Sequence, residues 1–182
     1  MGVEARSLVG ASQFTTARHY AEHAEAAVLA FAHRAPIQRP RVAIVGAPLD
    51  VPDLHEAVER SGGVVTWEED AGGVMQPGPL VGEAADPYEA LADSYRALVT
   101  ARTFAPADRD RPLVDALEAG VDGVVFFIPP DDSVAGWDVP RRRRLLESRG
   151  VPSVQVRDAT HALTDETRAA LETFVARLPE RG

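Results

Sequence analysis

Val42-Ala43-Ile44-Val45-Gly46 is a short apolar run, closed by a glycine and followed by Ala47-Pro48-Leu49-Asp50. A parallel strand covered on both faces reads this way, because no solvent side imposes a polar alternation. Gly123-Val124-Val125-Phe126-Phe127-Ile128 is a second run of this kind and the most apolar stretch of the chain. Val64-Val65-Thr66-Trp67 and a strand within residues 151–156 complete a set of four. Helical segments lie between them. Pro52 to Arg60 is stopped by Ser61-Gly62-Gly63. Asp86-Pro87-Tyr88-Glu89 opens the next, with Asp86 as N-cap, Pro87 at the first position and Glu89 placed to return the capping bond. Arg111 to Ala119 ends at Gly120, and Asp138 to Ser148 and Thr164 to Leu178 follow. Strands alternating with crossover helices predict an α/β fold: a flavodoxin-like, doubly wound, four-stranded parallel sheet of order 2-1-3-4. Ligands in such sheets bind beyond the carboxyl ends of the strands, at the switch point beside the first strand. The loops expected there are 46–51 and 129–136, with 68–73 nearby.

Upstream of the sheet the pattern changes. Phe14 to Arg34 is Ala-rich and reads as a helix. Its apolar residues Phe14, Ala17, Ala21, Ala24, Val28 and Phe31 form one narrow seam, with alanines in the middle that permit close approach to a neighbour. Ala35-Pro36-Ile37-Gln38-Arg39-Pro40 then breaks the helix. The expected organisation is a helical arm and linker over 1–40 and an α/β domain over 41–182.

Composition narrows the function classes. The net charge of −9 argues against nucleic acid, a dense polyanion bound through Lys and Arg. No apolar run approaches the roughly 20 residues that span a bilayer, and the start lacks a basic stretch leading into an apolar core. A cytoplasmic location is expected, with no nucleic-acid or membrane partner. The 182 residues contain no cysteine. They can form no disulfide, thiolate nucleophile, thiolate zinc site or iron–sulfur cluster of the usual thiolate kind.

Gly46 stands without the further glycines of a dinucleotide fingerprint, and neither a P-loop nor a Gly-x-Ser-x-Gly elbow is present. Three clusters carry chemistry. His19-Tyr20-Ala21-Glu22-His23 matches the inverted zinc-peptidase pattern, making His19, Glu22 and His23 candidate metal ligands, against a plain polar helix face. Glu68-Glu69-Asp70 follows the second strand and Asp131-Asp132 the third, in loops at the ligand-binding edge. Glu69, Asp70 and Asp132 are candidate hard-cation ligands, and Asp131 and Asp132 candidate acid and base, against solvated loop carboxylates. Arg141-Arg142-Arg143-Arg144 opens a helix, where the macrodipole disfavours cations. An anionic ligand such as the phosphates of coenzyme A would explain the cluster, against a solvated basic face.

The stretch from Arg41 onward resembles the 2-hydroxyacyl-CoA dehydratase and benzoyl-CoA reductase subunit family, specifically its second, C-terminal α/β domain. The residues that carry the resemblance begin with Val42 to Asp50, Glu59-Arg60-Ser61-Gly62-Gly63-Val64-Val65, Asp86-Pro87 and Leu91-Ala92-Asp93-Ser94-Tyr95. They continue with Val121-Asp122-Gly123-Val124-Val125-Phe126, Trp137-Asp138-Val139-Pro140 and Leu145 to Pro152. The N-terminal helix resembles the connection that precedes this domain in the family. The switch-point loops, the arginine cluster and this resemblance together point to a ligand site at Gly46, Ala47, Pro48, Ala71, Gly72, Gly73, Trp137, Arg141 and Arg142, and the resemblance implies a coenzyme A thioester as its ligand.

Family chemistry passes an electron through a [4Fe-4S] cluster held by cysteines into the thioester carbonyl, assisted by an ATP-dependent activator. Here Ala71 stands where the family has a cysteine after the second strand, and an ungapped reading puts Asp132 at the second. The family's N-terminal α/β domain, which supplies a further ligand, is not among these residues. The expectation is a cluster-less, dehydratase-like accessory or acyl-CoA-binding subunit. It would join a hetero-oligomer with a cysteine-bearing subunit that holds any [4Fe-4S] cluster, or self-associate through the N-terminal helix. The alternatives are a non-redox lyase or hydrolase acting on an acyl thioester through loop carboxylates, and a small-molecule-binding module.

Overall fold

The computed structural model describes residues 2–12, 14–35, 37–70, 81, 86–97, 110–132, 135–159 and 161–179. Four parallel strands, β1 (Arg41–Gly46), β2 (Val64–Asp70), β3 (Gly123–Phe127) and β4 (Ser153–Val156), stand in the order β2-β1-β3-β4. The α/β fold and its strand order are those expected from the sequence. The helices are α1 (Gly2–Ala11), α2 (Ala17–Ala32), α3 (Asp53–Arg60), α4 (Pro87–Ala97), α5 (Arg111–Glu118), α6 (Val139–Ser148) and α7 (Asp165–Val175).

Alternation along the central strands sorts two cores. Val42, Ile44, Val125 and Phe127 face Leu54 and Val58 of α3 and Leu171, Phe174 and Val175 of α7. Ala43, Val45, Val124 and Phe126 face Leu113 and Ala116 of α5 and Val139 and Leu146 of α6. Burying each such phenylalanine contributes about 2–3 kcal/mol, so both central strands are held from two sides.

β2 departs from simple alternation. Its register against β1 shifts between Val42 and Ala43, which pair with Val65 and Trp67 and leave Thr66 bulged. An extra residue in a strand resets which side its successors face. Val65 therefore joins the α3/α7 core while Trp67 packs against the α5/α6 core. Beyond the bulge Glu68 pairs with Ile44 and Glu69 with Val45, so the two glutamates leave opposite faces of the sheet.

Several boundaries differ from the sequence reading. The strand expected over 64–67 runs on to Asp70, because β1 continues to offer it hydrogen-bonding partners. The helix expected from Phe14 starts at Ala17, where the Thr16 side chain accepts from the His19 amide and so caps it. Ahead of it lies α1, which the sequence reading did not foresee. Its first amides, those of Gly2 and Val3, donate to Glu59 Oε1 at 2.6 and 3.3 Å, and the helix packs on α3 and β2.

Candidate functional site

At the carboxyl ends of β1, β3 and β4 a cavity of about 580 Å³ opens, lined by Ala47, Pro129, Pro130, Asp131, Asp132, Ala159 and His161. Its position is the switch point of the sheet, where the crossovers from β1 and β3 leave in opposite directions.

Each wall follows from local sequence. β1 ends at Gly46 with φ +143°, and a Cβ there would sit 2.0 Å from the Phe127 carbonyl oxygen. Only glycine allows the chain to cross the end of β3 so closely, after which the Ala47 amide donates to that same carbonyl at 3.0 Å. The loop after β3 is a β-turn, Asp132 N–H to Pro129 O at 3.1 Å, with Pro130 at the position where its fixed φ is favoured. That turn presents Asp131 exposed and Asp132 half-buried on the cavity rim. Arg157 reaches over from the end of β4 to the Pro130 carbonyl at 3.3 Å.

The third wall comes from the loop after β4. Asp158 Oδ2 accepts from the Thr164 amide at 2.7 Å and its hydroxyl at 2.9 Å, while Thr164 Oγ1 caps α7 by accepting from Thr167. Burial pushes the Asp158 carboxyl up, but these hydrogen bonds with Thr164 and Thr167 outweigh it and hold the group below the ordinary range. The closed loop carries Ala159 and His161 to the rim.

Of the residues expected at the site, the structure brings together Ala47, Asp131 and Asp132, with Gly46 immediately beside them. Pro48 is exposed next to Ala47, and Trp137, 83% exposed, is not part of the cavity wall. Ala71, Gly72 and Gly73 lie outside the described residues, and Asp70 ends β2. Ala159 and His161 were missed. The strand order sets the loop after β4 beside the loop after β3, and that adjacency was the signal that could have found them.

The β2 end is built differently. Arg142, 6% exposed, donates two hydrogen bonds to Glu69 at 2.8 and 3.2 Å and lies 3.4 Å from Asp110. Arg141 pairs with Asp110 and with Asp138 at 3.1 Å. The two arginines expected to bind a ligand anion thus join α6 to β2 and to the start of α5. On the opposite face Glu68 accepts from Arg6 at 2.7 Å and from His55 Nε2 at 3.0 Å, and Arg6 also donates to the Leu49 carbonyl. Burial raises the Glu68 carboxyl, but its hydrogen bond to His55 and the charges of His55 and Arg6 prevail and hold it below 4.5.

His19, Glu22 and His23 lie on exposed positions of α2, and the His23 ring bonds to the His19 carbonyl at 2.7 Å. No group of three or more His, Cys, Asp or Glu among the described residues is arranged to hold a metal ion. Nor does the cavity fit the [4Fe-4S] cluster that the family resemblance implies. Its donors are the carboxylates of Asp131 and Asp132 and the His161 imidazole, and the 182 residues offer no thiolate.

Sheet, switch point and cavity together define a doubly wound α/β domain with a pocket of small-molecule size. More particularly, the chain belongs to the 2-hydroxyglutaryl-CoA dehydratase D-component family, whose model matches residues 2–178. Among curated proteins it is 34% identical over 123 residues to the Escherichia coli (strain K12) protein named "Putative dehydratase subunit YjiM", covering 65% of this chain and 32% of that protein. It is 25% identical over 142 residues to the (R)-phenyllactyl-CoA dehydratase beta subunit of Clostridium sporogenes, covering 76% of this chain and 38% of that one. The chain spans about a third of the length of these relatives. No described helix is long and apolar enough to cross a membrane.

Proposed function

We propose that this chain is a cytoplasmic, dehydratase-like subunit that binds an acyl thioester and carries no cluster of its own, as an accessory partner to a cysteine-bearing subunit. The observation that supports it best is the switch-point cavity, in a family of dehydratase components, walled by carboxylates and an imidazole in place of thiolates. Its apolar lining, Ala47, Pro129, Pro130 and Ala159, suits an acyl chain. Asp131 and Asp132 can accept hydrogen bonds from a 2-hydroxyl or from the amide N–H groups of the pantetheine arm. Two carboxylates suit the neutral end of coenzyme A and disfavour its phosphates, which would lie outside the cavity. The relatives' names as subunits support an assembly of several chains.

Titration calorimetry with a 2-hydroxyacyl-CoA, with free coenzyme A and with the free 2-hydroxy acid tests the reading. Saturable binding of the thioester that weakens at least tenfold in Asp132→Asn is expected. A wild-type protein that binds none of the three ligands sinks it.

A second reading is favoured by one feature, His161 on the same rim as the two aspartates. An imidazole beside carboxylates could move protons in non-redox chemistry on the thioester, as acid and base in an elimination or hydrolysis. Turnover of the thioester that vanishes in Asp132→Asn and His161→Ala, with folding intact, would select this reading over binding alone.

A further inference from the structure

Among the described helices α2 alone buries no residue. Its half-buried positions, Tyr20, Ala24, Ala27 and Phe31, follow helical spacing, with Tyr20 and Ala27 farthest from the exposed side and Ala24 and Phe31 at its border. The fully exposed side carries Ala17, Ala21, Val28 and Leu29, with Val28 63% and Leu29 59% exposed. Phe14, just ahead of the cap, is 88% exposed. A 16-residue helix on its own is marginal in water. The ion pair from Arg34 to Glu4 at 2.7 Å ties its C-terminal end to α1 and leaves this apolar side uncovered.

We propose that the partner of this face is α2 of a second copy, packed antiparallel about a two-fold axis that passes between Glu22 and His23. Two observations carry the choice. The first is that the seam reads alike in both directions. The axis sets Ala21 against Ala24 of the other copy and Ala17 against Val28, and it brings Phe14 to the end that carries Phe31. Small residues meet at the centre, where backbones must come closest, and bulky ones fill the ends.

The second observation is charge. In this arrangement Arg18 flanks Glu25 of the other copy, and symmetry repeats the pair. Both residues lie on the exposed side of α2. A parallel pair would set Glu25 beside Tyr20 and lose both contacts. Antiparallel helices also align their dipoles favourably. This assembly goes beyond the ligand reading and is independent of it, since none of the cavity's walls belongs to α2.

The lack of native cysteine makes the geometry directly readable. Full-length Ala17→Cys and Val28→Cys chains are purified separately, mixed, re-equilibrated and oxidised under mild conditions. Disulfide-linked dimers in the mixture, with almost none in either variant alone, are expected, because identical positions lie about 16 Å apart along the paired axes. Light scattering on the wild type should give twice the mass of one chain, and Val28→Glu should halve it without changing thioester binding. A monomeric wild type overturns the proposal. So does cross-linking of Ala17→Cys to itself, or a native complex in which α2 pairs with a different chain.

Discussion

Two pairs of adjacent carboxylates close two strands at one edge of the sheet, and the structure treats them in opposite ways. At the end of β2, Glu68 and Glu69 are drawn to opposite faces and neutralised by Arg6, His55 and Arg142. At the end of β3, Asp131 and Asp132 sit on a turn at the mouth of an open cavity, and the nearby Arg157 bonds to a backbone carbonyl. Residue type and position along the strand are nearly the same in both places. What differs is the setting that the surrounding elements provide. One corner is a structural joint between α1, α3, α5 and α6, and the other rims a cavity.

The hardest test of that contrast lies where β1 crosses β3, the residue on which the open side depends. Gly46→Ala must either move the Phe127 carbonyl or abandon its positive φ, and a loss of more than about 4 kcal/mol is expected by urea unfolding. Arg142→Ala comes next. It leaves Glu69 without its bidentate cation in a buried setting, at a cost of about 3–5 kcal/mol. A change below 1 kcal/mol would mean that the β2 corner is not a joint at all.

Glu68→Gln should cost about 2 kcal/mol at neutral pH, the worth of charge-assisted bonds turned into neutral ones. Its pH dependence carries a sign. The carboxyl is held below 4.5 in the folded protein, so its contribution is complete above that value and fades as pH falls through the lower, folded one. The stability difference between wild type and Glu68→Gln should therefore be flat from pH 7 to about 4.5 and shrink below it. Smallest of all, Asp131→Asn, at an exposed position of the rim, should move the unfolding free energy by no more than about 0.5 kcal/mol while weakening thioester binding. A large loss of stability there would erase the distinction between the two corners.

The central strands were legible because burial on both faces leaves an uninterrupted apolar run, and the strand order followed from the crossover rules. The tail of β2 was not. Glu68-Glu69-Asp70 reads as a loop because nothing local reveals that Arg6, 62 positions upstream of Glu68, and Arg142, 73 positions downstream of Glu69, will neutralise it. α1 escaped for the same reason: Glu59 and Glu68 hold it, and neither contact has a local pattern. At the site, Ala47, Asp131 and Asp132 could be placed from strand ends alone. His161 depends on the Asp158–Thr164 closure within the loop after β4, which has no periodicity to read. The arginine run was noticed for the right reason, its awkward place at a helix start, but its anions are Glu69, Asp110 and Asp138 of the same chain.

The bulge at Thr66 gives this domain an uneven tolerance to changes in reading length. Losing the single codon for Thr66 would leave plain alternation along β2 and keep Trp67, Glu68 and Glu69 opposite Ala43, Ile44 and Val45, each on the side it already faces. Losing the codon for Glu68 instead would bring Glu69 opposite Ile44, on the side of Arg6 and His55 and away from Arg142. In a scan of single-codon deletions, position 66, whose side chain is exposed, should therefore be the mildest in β2, and position 68 should score like the removal of both ion-pair clusters at once.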